Sequence, residues 1–169
     1  MWRIRICEGI VMRSVMKFIG SMVGFVLVAG MIFGMLMDAG IVPSERVLAG
    51  SDIPADQIEV LLTEGIVNDG EVIEYFYSEG LISVREGGSI LTDQRIIAYE
   101  ENENDELDIF EIRNEDVVSV ELVQQGDTLN YSIYTVSTGN DDEWVDLWLP
   151  HENGDAERFV AAVKSNMSQ

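Results

Sequence analysis

The fold is decided by residues 75–100, which read YFYSEGLISVREGGSILTDQRIIAYE. Short runs of aromatic and β-branched residues alternate here with glycines and polar pairs, a pattern typical of strands joined by tight turns. Strands are therefore predicted over 71–77 and 81–86. Two more are predicted in the SILT and RIIAYE runs, with a turn between them at Asp93 and Gln94.

The same pattern continues toward the carboxyl terminus. Four further strands are predicted over 107–112, 117–123, 129–137 and 143–149, and the acidic loop 101–106 precedes the first of them. Short strands separated by polar turns at this spacing predict an antiparallel sandwich or partly open barrel of about seven strands. The fold class is thus mainly β.

A carboxy-terminal helix is predicted over 155–167, with Asp155 as its N-cap. Its apolar residues recur at the helical period: Ala156, Phe159, Val160, Val163 and Met167. Such a stripe has to pack on apolar surface, and the open end of the barrel is the natural place for it.

Three stretches carry a resemblance to a known family. The runs YFYSEGLISVREGGSILTDQRIIAYE, IFEIRNEDVVSVEL and DAERFVAAVKS, within residues 66–167, resemble bacterial pleckstrin-homology-like (PH-like) domains. Those domains have a T-D-x-R turn between early strands and an I-x-x-x-D-V/I-x-x-V segment before a later one. The matching positions here are Thr92, Asp93 and Arg95, and then Ile112, Asp116, Val117 and Val120. The resemblance implies a PH-like barrel closed by a capping helix. It implies no catalytic residue, because bacterial PH-like domains are mostly of unassigned activity and are often attached to membrane helices.

A transmembrane helix is predicted ahead of this domain, over 18–37. The run FIGSMVGFVLVAGMIFGMLM has no charged residue, and twenty helical residues span about 30 Å, the thickness of the hydrocarbon core of a bilayer. A cleavable signal peptide is the alternative. Its apolar core is shorter and ends in a small-x-small cleavage site, which the Met37-Asp38-Ala39-Gly40 sequence matches poorly. An uncleaved signal anchor is favoured.

Charge predicts the orientation of this anchor. Residues 1–37 hold four basic side chains and one acid, a net +3, whereas residues 38–169 hold six basic side chains and thirty acids, a net −24; together they give −21. Basic residues stay on the cytoplasmic side, so the amino terminus is expected inside and the acidic domain on the extracytoplasmic side. The predicted organisation is a basic head (1–17), the transmembrane helix (18–37), a linker and short helix (38–65) and the PH-like domain (66–169). Ser51 or Asp52 is expected to cap the short helix, and Pro54 to lie in its first turn.

The predicted membrane helix has a face of small residues. Gly20, Gly24, Gly30 and Gly34 form two GxxxG pairs that share one side of the helix, and such a face lets two helices approach closely. A weak homodimer through these glycines is therefore a hypothesis; the alternative is that glycine is simply frequent in membrane helices.

Composition narrows the partners and the chemistry. With a pI near 4.1 the chain is not expected to bind nucleic acid, and anionic lipid head groups would be repelled by the acidic domain. His151 is interpreted as a surface or capping residue, and no cofactor, metal or catalytic residue is predicted. Trp144 and Trp148 lie on one strand face with Asp146; we expect them to fill the core, although part of that face could be wet.

Two classes of function follow. The first is a non-enzymatic, membrane-anchored PH-like module that presents an acidic domain to an unknown protein or envelope partner. The alternative is an exported carboxylate- or metal-dependent enzyme without a recognisable motif, for which His151 and Asp141 would be the residues to test.

Overall fold

A computed structural model describes residues 26–28, 30–31, 43–127, 131–140 and 142–167. The chain divides into two units, Met1–Ala39 and Gly40–Gln169. In the first unit, the described residues 26–28 and 30–31 are helical. Across the described parts of the chain, no helix is both long and apolar enough to cross a membrane. Most of the predicted span lies outside the described residues, as do Gly20, Gly24 and Gly34; only Gly30 of the four glycines lies within them.

The second unit is mainly β. Its strands are β1 (Leu48–Ala49), β2 (Ile73–Ser78), β3 (Gly87–Thr92), β4 (Arg95–Glu101), β5 (Leu107–Arg113), β6 (Ser119–Gln124), β7 (Tyr131–Ser137) and β8 (Trp144–Pro150). Its α-helices are α1 (Ala55–Thr63) and α2 (Asp155–Asn166). Short 3₁₀ turns cover Gly50–Asp52, Asn114–Asp116 and Glu152–Gly154.

The strands form two antiparallel sheets. One has the order β1-β2-β3-β4-β5 and the other the order β6-β7-β8, so that every long strand pairs with its neighbour in sequence. Seven of the strands have six or seven residues, and β1 has only two. The predicted mainly β class, with antiparallel strands and a carboxy-terminal helix, is confirmed.

Two strands of the five-stranded sheet, β3 and β4, are largely buried on both faces. Alternate residues of β3 and β4, such as Leu91 and Ile96, join the core between this sheet, the three-stranded sheet and α2. Their neighbours Ile90 and Ile97 join a second cluster with Leu61 of α1. Helix α1, which lies within the predicted linker and short helix over 38–65, is part of this unit and covers the outer face of the larger sheet.

The turn between β3 and β4 is held by side chains of the T-D-x-R motif. The Thr92 hydroxyl accepts the backbone N–H groups of Gln94 at 3.1 Å and Arg95 at 3.0 Å. The Asp93 carboxylate accepts the backbone N–H of Val72 at 2.9 Å, and the buried guanidinium of Arg95 donates to Glu71 at 3.0 Å and also pairs with Glu111. The motif therefore acts structurally, joining the β3–β4 turn to the start of β2 and to β5.

The predicted strand over 81–86 is wrong, because this segment is a turn. The Glu86 carboxylate accepts the backbone N–H groups of Leu81 at 2.8 Å and Ser83 at 3.0 Å, so the chain closes on itself rather than extending. Gly80 is required here, since a Cβ at this position would lie 2.0 Å from the Ser83 carbonyl oxygen.

Helix α2 forms as predicted, with Ala156, Phe159, Val160 and Val163 buried. Asp155 is not its N-cap, however, because the capping position is Gly154 and no side chain caps the helix. The buried Asp155 carboxylate instead accepts the backbone N–H of Val47 at 3.1 Å and pairs with Arg158. It thereby fastens the chain just before β1 to the start of the last helix.

The expected cap of α1 is wrong as well. Ser51 and Asp52 lie in the preceding 3₁₀ turn, and Pro54 occupies the capping position without a side-chain hydrogen bond.

A candidate binding groove of aromatic and acidic residues

A groove of about 570 Å³ lies between β4 and β5 on one side and β8 on the other. Three large aromatic side chains line it and remain open to solvent: Phe110 is 50% exposed, Trp144 54% and Trp148 44%. Ala98 and the buried Val145 also contribute to the lining. Exposed aromatic side chains grouped in one place are typical of interaction surfaces.

Strand alternation explains why the tryptophans face outward. On β8, Val145, Leu147 and Leu149 enter the core, so Trp144 and Trp148 project from the opposite face. The expectation that these tryptophans fill the core is therefore wrong. The alternative, that part of their strand face is in contact with solvent, agrees with their exposure.

On the other side of the groove, β5 contributes Phe110. Phe110 pairs with Ala98 of β4, two residues along the strands from the buried pair Ile96 and Ile112. Ile112 is buried, whereas Phe110, two residues closer to the loop that joins β4 to β5, is half exposed. On this side the groove therefore continues the face of β4 and β5 that packs in the core.

Four carboxylates share this groove: Glu79, Glu100, Asp142 and Asp146. No lysine, arginine or histidine is among the lining residues that the structure describes. Burial and the nearby Glu100 carboxylate raise the pKa of Glu79 to about 7. Asp146 is held in place by the Thr135 hydroxyl, which donates a hydrogen bond to it at 2.5 Å.

The groove also borders two sheet edges. In the described part of the chain β5 pairs only with β4, and β8 only with β7. A smaller hollow of about 280 Å³ extends along β5 from Phe110 to Arg113 and shares Phe110, Asp142, Trp144 and Val145 with the main groove. Unpaired strand edges of this kind can accept an extended peptide as an added strand.

His151 lies outside the groove. Its Nδ1 atom is 3.0 Å from the Gln125 side-chain amide and 3.5 Å from the Ser132 hydroxyl. Ser132 is fully buried, and its hydroxyl accepts the backbone N–H of Gly126 at 3.0 Å. This serine therefore fixes a turn. His151 itself lies at the junction between β8 and the last helix.

The acidic loop 101–106 has a structural explanation within the fold. The Asn102 side-chain oxygen accepts the backbone N–H groups of Asn104 at 2.9 Å and Glu106 at 3.2 Å, which closes the loop. Among the residues that the structure describes, no group of three or more His, Cys, Asp or Glu side chains is placed to hold a metal ion. Asp141 lies outside these residues.

The groove was not predicted as a site from the sequence. The even spacing of Trp144, Asp146 and Trp148 was the available signal, since it places two indoles and a carboxylate on one strand face. The sequence around Phe110 gave no comparable signal, because this residue comes to line one groove with Trp144 and Trp148 only in the folded chain.

Comparison with known proteins gives one structural likeness. No protein-family model matches the chain, and no curated protein matches it. A crystal structure of a DUF1696 family protein with a pleckstrin-homology domain from Shewanella loihica PV-4 aligns with a TM-score of 0.47 and 14% sequence identity. The alignment covers 67% of this chain and 93% of that protein.

Proposed function

We propose that this protein is a membrane-anchored, non-enzymatic PH-like interaction module that presents its acidic domain to a protein or envelope partner. The observation that carries the proposal is the exposed aromatic groove formed by Phe110, Trp144 and Trp148. Exposed aromatic residues beside polar ones are typical of protein-binding surfaces, where such residues supply most of the binding free energy.

The PH-like assignment rests on the arrangement of the elements. Two antiparallel sheets are followed by a helix whose apolar face, including Phe159, packs into the core between them. Thr92, Asp93 and Arg95, the positions of the resemblance, hold the β3–β4 turn in place.

Membrane attachment rests on the uncharged run over 18–37 and on the basic residues before it. In this proposal the amino terminus is cytoplasmic and the acidic domain lies on the extracytoplasmic side. The domain does not bind nucleic acid or anionic lipid head groups in this proposal. Binding to either needs clusters of basic residues, whereas the net charge of the domain is −24. Weak pairing through Gly20, Gly24, Gly30 and Gly34 would add a second copy in the same membrane.

Orientation is tested with paired reporters fused after Gln169. An alkaline phosphatase fusion should be active and a green fluorescent protein fusion dark, because phosphatase folds only after export. The opposite pair of results would place the domain in the cytoplasm and remove the membrane topology from the proposal.

The interaction itself is tested by site-specific photo-crosslinking in living cells. A benzoylphenylalanine at Phe110 should form a discrete protein adduct. The same probe at Tyr131, which is 42% exposed but outside the groove, should not. Equal labelling from both positions, or none from Phe110, would contradict the proposal.

A further inference from the structure

We propose that the groove between β5 and β8 binds an extended segment of a protein partner that carries arginine or lysine side chains. The inference rests on the proposed interaction module and deepens it by naming the chemistry of the partner. Three features of the groove support it: its charge, its aromatic walls and its open strand edge.

Charge and aromatic surface together favour a cation. Glu100, Asp142 and Asp146 line the groove beside Glu79, whose pKa is about 7, and no described basic side chain among the lining residues balances their charge. A guanidinium or ammonium group over an indole ring gains a cation–π interaction, and arginine also stacks on aromatic faces. The net charge of −24 on residues 38–169 adds a long-range attraction for a basic partner.

The shape of β5 favours an extended segment. Four successive residues of this strand, Asp108 to Glu111, are exposed, so both faces of its middle are open to solvent. Ile109 is 37% exposed and Phe110 50%, which leaves apolar surface on both sides of the strand. Natural sheets protect such edges with charged side chains, above all lysine, and with proline; β5 contains no lysine or proline, and its charged residues are Asp108, Glu111 and Arg113.

An added strand along β5 would present side chains to the groove. Successive side chains of a strand alternate between faces, so every second side chain of the segment would lie on the Phe110 side of β5, where Trp144 and Trp148 also line the groove. Apolar side chains between the basic ones would lie against Ile109 on the other face. The fitting segment therefore alternates basic and β-branched residues.

Two other occupants fit less well. A second copy of this domain would bring another net −24 to an already acidic groove, which opposes close approach. A phosphate-bearing ligand needs basic side chains, and the groove offers none among its described lining residues. A basic protein segment is the occupant that the charge and the strand edge favour together.

The test uses the full chain in a neutral detergent and a labelled octapeptide that alternates arginine with valine. The matched peptide has citrulline at the arginine positions, which keeps the shape and removes the charge. Fluorescence anisotropy should show saturable binding of the arginine peptide and at least about tenfold weaker binding of the citrulline peptide.

Variants assign the binding to the groove. Trp148→Ala and Trp144→Ala should each weaken binding about fivefold or more, whereas the exposed Tyr131→Ala should not change it. Glu100→Gln should weaken binding more than Glu121→Gln, which removes an exposed charge outside the groove. Circular dichroism of each variant shows that the fold is retained.

Several results would overturn the inference. These are equal binding of the two peptides, equal losses for Trp148→Ala and Tyr131→Ala, or no binding of the arginine peptide. Concentration-dependent self-association that competes with the peptide would show that a second copy is the occupant instead. If the cellular adduct from Phe110 persists while the peptide does not bind, the interaction module stands and only the partner chemistry proposed here fails.

Discussion

Replacing Phe159 with alanine should destabilise the domain severely. This side chain is fully buried in the middle of α2, in the core between the two sheets, and its ring lies 6.2 Å from that of Tyr75. Phe→Ala changes in packed cores cost about 3–5 kcal/mol, because apolar surface is exposed and a cavity is left behind. Domains of this kind are stable by about 5–15 kcal/mol, so the change removes a large part of the total.

The assay is thermal and urea unfolding of the full chain, followed by circular dichroism of the β-sheet signal. For a domain of this size the loss corresponds to a decrease in Tm of about 10–20 °C. The matched control is Ser165→Ala on the exposed side of the same helix, which should change stability by less than about 0.5 kcal/mol. An unchanged Tm for Phe159→Ala, or equal shifts for both variants, would refute the packing of α2 into the core.

Three further predictions concern a buried ion pair, pH and the membrane segment. Arg95→Met should lower the free energy of unfolding, measured by urea titration, by about 3–5 kcal/mol, because it leaves the buried Glu71 carboxylate without a counter-charge. The pKa of Glu79 is about 7 in the folded protein against 4.5 as the ordinary value, so its contribution to stability is present at low pH and is lost as pH rises between those values. Glu79→Gln should therefore flatten the decline of Tm across that range. In a reporter-dimerisation assay the double change Gly24→Ile with Gly30→Ile should abolish the signal and leave insertion intact, whereas an equally active double mutant would show that the glycines only reflect membrane-helix composition.

Local patterns predicted most of the strands because their signals are local. The segments around Ile90 and Ile97 combine β-branched residues with a polar turn, and both form strands with the expected hairpin. The periodicity of α2 was equally reliable, since Phe159 and Val163 repeat at helical spacing.

Two predictions were wrong because a distant or competing contact decided the outcome. The 81–86 run is rich in strand-forming residues, yet the Glu86 carboxylate captures the backbone N–H groups that a ladder would have used. Aspartate is a common N-cap of helices, but the Asp155 carboxylate accepts a hydrogen bond from the backbone N–H of Val47 instead, which is distant in sequence.

The groove could not be predicted because both faces of β8 carry apolar residues. Period-two alternation places Trp144 and Trp148 opposite Val145 and Leu147, but it does not say which face is inside. That choice is made by the larger sheet, which covers the face of Val145 and Leu147 and leaves the tryptophans beside Phe110.

Binding of a basic segment in the groove is measured most directly by NMR, by following the indole N–H signals of the full chain while the arginine–valine octapeptide is added. The chain has three tryptophans, of which Trp144 and Trp148 line the groove, and Trp2 in the basic head is an internal control. We expect the signals of Trp144 and Trp148 to shift saturably while that of Trp2 stays in place. If neither groove signal moves, or all three move alike, the groove is not a binding site for a basic segment.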